Sequence, residues 1–133
     1  MKPQFLFVYG TLLKGKSNHR FLEGAEFIGR GKTVDNFTMY SNGYFPALTL
    51  QPSYPVVGEV YAVDKETLKD VDRLEGYRPG DERNHYERKS IDVVVEGGVV
   101  VDALVYYYKN DTRVDEEQML PEGDWHKCHC LRK

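Results

Sequence analysis

Two runs rich in valine and tyrosine, Tyr86 to Glu96 and Val99 to Tyr108, are separated only by Gly97-Gly98, and this join constrains the fold more than any other stretch. β-Branched and aromatic residues suit a pleated, half-buried surface, and a glycine pair between two such runs supplies the positive φ angles of a tight hairpin. Further strand candidates are Phe5 to Tyr9, Thr33 to Tyr40, Ala47 to Leu50 and Val56 to Val63. Glycine and proline are scattered between them, at Gly43, Pro46, Pro52, Pro55 and Gly58, which favours short strands bent around a small core over one flat sheet.

Helices are few. Asp64 is a good N-cap, Lys65 to Leu74 favours a helix of about three turns, and Gly76 stands where a left-handed residue ends one. Ser17 to Glu23 fits a second, short helix capped by Ser17 and ended near Gly24. A doubly wound parallel sheet needs helices alternating with strands, whereas this chain offers only a hairpin after its one clear helix. The expectation is an α+β fold: a small, mixed, partly closed β-barrel with one or two flanking helices. With 133 residues, no internal repeat and no linker-like shift in composition, residues 1–133 are expected to form one domain, less ordered from about residue 121.

Composition removes several function classes. A formal net charge of −3, with both signs interleaved, provides no basic stripe for nucleic acid. No apolar run approaches the ~20 residues that span a bilayer, and the opening residues lack the apolar region and cleavage site of a signal peptide, so no membrane association and a cytoplasmic location are expected. The 2 cysteines, Cys128 and Cys130, are too local to staple a fold. With His126 and His129 they superficially resemble a metal knuckle, but structural zinc sites pair knuckles from two separated places. The other histidines, His19 and His85, stand alone, so no metal site is expected. Serine-hydrolase, phosphate-loop and dinucleotide signatures are absent.

Two features carry chemistry. The strand Phe5 to Tyr9 runs straight into Gly10-Thr11-Leu12-Leu13, and a glycine-bearing turn at a strand end can aim several N–H groups at one anion or developing oxyanion. The same residues also describe an ordinary strand-to-loop turn, and the sequence leaves both readings open. On the predicted helix, Leu68, Val71 and Leu74 form the apolar stripe, and Glu75, four residues after Val71, turns toward it. A carboxylate there is solvated at a frayed end, paired with Arg78 or Arg88, or held with a raised pKa as a general acid/base. Asp70 and Asp72 are expected on the solvated side. Tyr106 and Tyr108 share one strand face, as packing residues or with a hydroxyl turned into a cavity. Arg78 to Asn84, charged and turn-rich, is expected to be a mobile loop after Glu75.

Taken together, Val8-Tyr9-Gly10-Thr11-Leu12, Gly58-Glu59-Val60-Tyr61, Leu74-Glu75-Gly76-Tyr77, Tyr86-Glu87-Arg88, Ala103-Leu104-Val105-Tyr106 and Gly123-Asp124-Trp125 resemble the gamma-glutamylcyclotransferase-like family, including its AIG2-like and gamma-glutamylamine cyclotransferase branch. The resemblance implies a six-stranded or similar barrel with a cavity at one side. It implies that the backbone of Tyr9, Gly10, Thr11 and Leu12 binds a glutamyl group, that Glu75 is the catalytic residue, and that Tyr106 or Tyr108 borders the cavity. The implied reaction converts a γ-glutamyl amine or peptide to 5-oxoproline and free amine without a cofactor. The loops Asn42 to Pro46 and Arg78 to Asn84 would then meet the leaving group. The alternative is a non-catalytic domain of the same fold that binds a small ligand or a protein. The residues leave the leaving amine and the oligomeric state open.

Overall fold

In the computed structural model, which describes residues 4–10, 12–13, 16, 18–41, 46–84 and 86–108, the two valine- and tyrosine-rich runs pair antiparallel from Tyr86 opposite Tyr108 to Val95 opposite Val99. Gly97 and Gly98 turn the hairpin at φ 98° and 93°, and the Gly98 amide donates to the Val95 carbonyl at 2.9 Å. Outside the described residues lie Thr11, Ser17, Asn42 to Phe45, His85 and everything from residue 109 onward, including Gly123-Asp124-Trp125, His126, Cys128, His129 and Cys130.

The elements in chain order are β1 Gln4–Val8, a 3₁₀ turn His19–Leu22, β2 Glu26–Thr33, β3 Phe37–Ser41, β4 Pro46–Tyr54, β5 Val57–Val63, α1 Lys65–Glu75, β6 Tyr86–Val95 and β7 Val99–Tyr108. Five strands close a barrel in the order β1-β5-β2-β6-β7, while β3 and β4 form a separate two-stranded sheet. The barrel expected from sequence is thus present, and its ring is complete. The parallel pairing of Phe5 with Ala103 and of Leu6 with Leu104 closes it, leaving no barrel strand with an open edge.

The core explains the pattern. Phe7, Val60, Val93 and Val105 are fully buried, and close approach of the walls depends on glycine. A Cβ on Gly31 would stand 2.6 Å from Val93 Cγ1 and 3.2 Å from Val60 Cγ2, and one on Gly58 would stand 2.2 Å from the Val8 carbonyl oxygen.

Several sequence expectations are corrected. β2 is missing from the strands expected from sequence except at its last residue, Thr33; its Gly29 and Gly31 are the thin points at which it lies against its neighbours. The predicted strand Thr33 to Tyr40 is instead the end of β2, a turn, and β3. Pro46, Pro52 and Gly58 lie within strands rather than between them; the prolines are tolerated because β4 has only one partner. The short helix near Glu23 is a single 3₁₀ turn after Asn18 with no side-chain cap, as expected where too few residues are available to repay helix nucleation.

Topology brings the candidate site residues to one end. β1 and β7 run parallel, so the residues after Val8 and those around Tyr106 emerge together, and β6 begins there opposite Tyr108. β5 ends at the opposite rim, where Val63 faces Gln4. From that rim α1 runs back about 16 Å, and its C-terminal turn arrives beside β6 and β7. No helix among the described residues is long and apolar enough to cross a membrane.

Candidate active site

Helix α1 is set by its caps and its stripe. The Asp64 carboxylate accepts from the Thr67 amide at 2.7 Å, Leu68 and Val71 are buried, and Gly76 ends the helix in the left-handed region at φ 71°, ψ 24°. Glu75 is therefore the last helical residue, presented half-buried. It makes no hydrogen bond or ion pair among the described residues, and desolvation by burial raises its carboxyl from 4.5 to about 7. Of the alternatives open from sequence, pairing with Arg88 is excluded in this structure because that guanidinium is bound to Asp72.

The solvated position expected for Asp72 is corrected. Asp70 is exposed and meets Arg73 at 3.1 Å, but Asp72 is turned inward, and both its oxygens accept from Arg88 Nη1 at 2.8 Å. The Asp72 carboxylate also accepts a short hydrogen bond from the Tyr106 hydroxyl. Burial, then the Asp72 carboxylate, push the Tyr106 phenol above its usual range, so it stays a donor. Arg88 lies over the Tyr77 ring at 5.0 Å, and Tyr77 meets Tyr106 edge-on with centroids 6.3 Å apart.

At the barrel end, Tyr9, Gly10, Leu12 and Leu13 are all buried. The Tyr9 hydroxyl donates to the Tyr106 carbonyl at 2.8 Å, which ties the loop to β7. The Leu13 amide donates to the Gly10 carbonyl at 3.0 Å, and His19 Nδ1 donates to the Leu12 carbonyl at 3.0 Å. Neither the Gly10 nor the Leu12 amide donates to an acceptor among the described residues. Thr11 lies outside them.

Tyr9 and Tyr106 are thus in contact, and Asp72 links Tyr106 to the helical turn of Glu75. Tyr108 is farther along β7, half-buried, with its ring 5.7 Å from that of Tyr86. After the helix, the segment expected to be mobile is internally braced. Buried Asn84 accepts from the Arg78 amide at 3.1 Å and donates to the Arg78 carbonyl at 2.7 Å, and Arg83 pairs with Asp81. A groove of about 450 Å³ opens along it, lined by Arg73, Gly76, Tyr77, Arg78, Asp81, Arg83 and Asn84.

Sequence reasoning missed Asp72 and Arg88 as site residues. The signal available was strand alternation, which places Arg88 directly opposite Tyr106 once the β6–β7 register is known. It also missed Glu59, a buried carboxylate opposite Val8 that accepts from the Tyr61 hydroxyl at 3.0 Å.

Comparison with known proteins fits this geometry. Residues 6–127 match the family described as gamma-glutamyl cyclotransferase, AIG2-like. A protein of Methanocaldococcus jannaschii, named provisionally as a gamma-glutamylcyclotransferase, is 38% identical over 123 residues, covering 92% of this chain and 95% of its own. The gamma-L-glutamyl-butirosin B gamma-glutamyl cyclotransferase of Niallia circulans is 36% identical over 107 residues, covering 80% of this chain and 68% of its own. Among solved structures, an AIG2-like protein from Mus musculus superposes with a TM-score of 0.78 at 30% identity, covering 99% of this chain and 95% of its own.

Proposed function

We propose, from the premise that the chain belongs to the gamma-glutamyl cyclotransferase, AIG2-like family, that it cyclises a γ-glutamyl amine or γ-glutamyl peptide to 5-oxoproline and releases the amine. The observation that carries this reading is the carboxyl of Glu75, half-buried, unpaired among the described residues and raised to about 7, one helical turn from a side-chain chain that leads to the Tyr9 loop.

The substrate's α-nitrogen is an ammonium at neutral pH and cannot attack until it loses a proton. Ionised Glu75 takes that proton, and the free amine attacks the γ-carbonyl of the same molecule, closing a five-membered ring. As the tetrahedral intermediate collapses, the C–N bond to the leaving amine breaks. Both protons given up by the α-nitrogen end on the leaving nitrogen, the transfer running through Glu75, so the enzyme returns unchanged. Because nucleophile and electrophile belong to one molecule, most of the remaining task is holding the glutamyl chain folded. Tyr9, Gly10, Thr11 and Leu12 are assigned to that task, with the amides of Gly10 and Leu12, which meet no acceptor among the described residues, offered to the α-carboxylate or the oxyanion. Tyr106 closes the wall beside them, and Tyr108 is assigned to its outer edge. No cofactor enters the chemistry.

The Niallia circulans relative is named for gamma-L-glutamyl-butirosin B, which sets butirosin B beside simple amines and peptides as a leaving group to try. Incubating wild type and Glu75→Gln with such a panel, and following 5-oxoproline by mass spectrometry, tests the reading. Wild type should release it and Glu75→Gln should be slower by about 10² to 10⁴-fold, the usual contribution of a positioned general base. Equal turnover by the two proteins would remove Glu75 from the mechanism. Ligand-induced stabilisation without product would make the domain a binding module.

A further inference from the structure

Asp72 is the best-connected side chain near Glu75, and the reaction as written leaves it unused. Its two oxygens both accept from Arg88 and one accepts from Tyr106 as well, while the Asp72 and Arg88 side chains are only 16% and 21% exposed. A charge-assisted pair so shielded from water is held far more firmly than a surface ion pair. The carbonyl of Tyr106 in turn accepts from Tyr9. One unbroken path therefore leads from the last full turn of α1, across β7, to the first residue of the loop.

We propose that Asp72 is the positioning residue of this site: it holds Arg88 and the Tyr106 hydroxyl against α1, keeping Arg88 off Glu75 and fixing the turn that carries Glu75 relative to the Tyr9–Leu12 loop. The inference rests on the cyclotransferase reading and deepens it.

The charged and titratable groups around that turn bear this out. They are Asp72 and Arg73 on α1, Tyr77 and Arg78 after it, Arg88 on β6, Tyr106 on β7, and His19 and Arg20 on the 3₁₀ turn packed against α1. Arg73 is turned outward to Asp70, and His19 is engaged by the Leu12 carbonyl. Of the arginines around this turn only Arg88 is withdrawn from solvent, and Asp72 neutralises it. Burial is the sole cause of the raised level of Glu75; with Arg88 held on Asp72, neither charge contributes to it. Were Asp72 neutral, the uncompensated guanidinium would hold Glu75 ionised, and a carboxylate so stabilised takes a proton from an ammonium poorly.

The test is a ¹³C-carboxyl NMR titration of Glu75, without substrate, in wild type, Asp72→Asn and Arg88→Met, joined by steady-state kinetics. Asparagine keeps the size of Asp72 and an acceptor for Tyr106 while removing the charge. The Glu75 midpoint should fall in Asp72→Asn and rise in Arg88→Met, opposite directions that general loosening of the fold does not produce. At pH 7, kcat of Asp72→Asn should fall about tenfold or more, with KM within about threefold. An unmoved midpoint in either variant, or a loss confined to KM, overturns the proposal. If Asp72→Asn does not fold, Arg88→Met decides it alone. The titration needs no turnover, so an inactive wild type would count against the cyclotransferase reading while the midpoints still judged Asp72.

Discussion

A carboxyl that titrates near 7 is half ionised at neutral pH, and for Glu75 this has consequences of opposite sign for rate and for stability. In the proposed role of base it acts only when ionised, so kcat/KM should rise with pH through about 7 on its acid limb, and Glu75→Gln should lack that limb. Stability runs the other way. Unfolded Glu75 titrates near 4.5 and folded Glu75 near 7, so between these values the folded chain binds more protons and loses stability as pH rises. At 1.36 kcal/mol per pKa unit the full effect is about 3 kcal/mol, complete above the folded value and absent below the unfolded one. Glu75→Gln removes it. Urea unfolding should therefore show Glu75→Gln gaining on wild type by about 3 kcal/mol at pH 8 and by almost nothing at pH 4.5; the same gap at both pH values would mean that burial does not charge this cost to the carboxylate.

At the scale of the element, α1 converts two caps into the placement of one side chain. Asp64→Ala removes the bond to the Thr67 amide at the start, and Gly76→Ala forces a Cβ into the left-handed region at the end, where nothing else lies within 4 Å of it. Gly76→Ala should cost about 1 kcal/mol, and Asp64→Ala should also destabilise through its lost cap. Their effects on turnover should differ, because Gly76 fixes the turn that carries Glu75 and Asp64 stands three turns away. We expect Gly76→Ala to lower kcat about tenfold and Asp64→Ala to leave it near wild type; equal losses would mean that helix stability, not the geometry of the last turn, limits the reaction. The helix was legible in sequence because Asp64, the Leu68–Val71–Leu74 stripe and Gly76 are local signals. Strand β2 was not, since Gly29 and Gly31 have a reason to be there only once Val93 and Val60 are known to lie against them. The inward turn of Asp72 was hidden for the same reason, since its partners Arg88 and Tyr106 come from two strands whose register no local pattern supplies.

For the whole molecule the decisive event is closure of the ring by β1 against β7, a pairing of residues about a hundred positions apart that short-range periodicity cannot encode. Closure and site are coupled, because the strand end that completes the ring is the one that launches the Tyr9 loop. Gly58 lies at this junction on β5. A Cβ there would stand 2.2 Å from the Val8 carbonyl oxygen and 2.8 Å from Phe7 Cζ, and a backbone atom cannot step aside as a flexible side chain does. Gly58→Ala must therefore push β1 away from β5 at Val8, one residue before Tyr9. Gly97→Ala, at the hairpin tip with open space around it and φ 98°, has only its own backbone strain to meet. The expected costs are about 3 kcal/mol or more for Gly58→Ala and about 1 kcal/mol for Gly97→Ala, measured by chemical unfolding. Gly58→Ala that still folds at low temperature should also lose affinity for its substrate, raising KM, while Gly97→Ala keeps wild-type kinetics. Equal stability losses, or an unmoved KM in a folded Gly58→Ala protein, would separate the barrel seam from the loop.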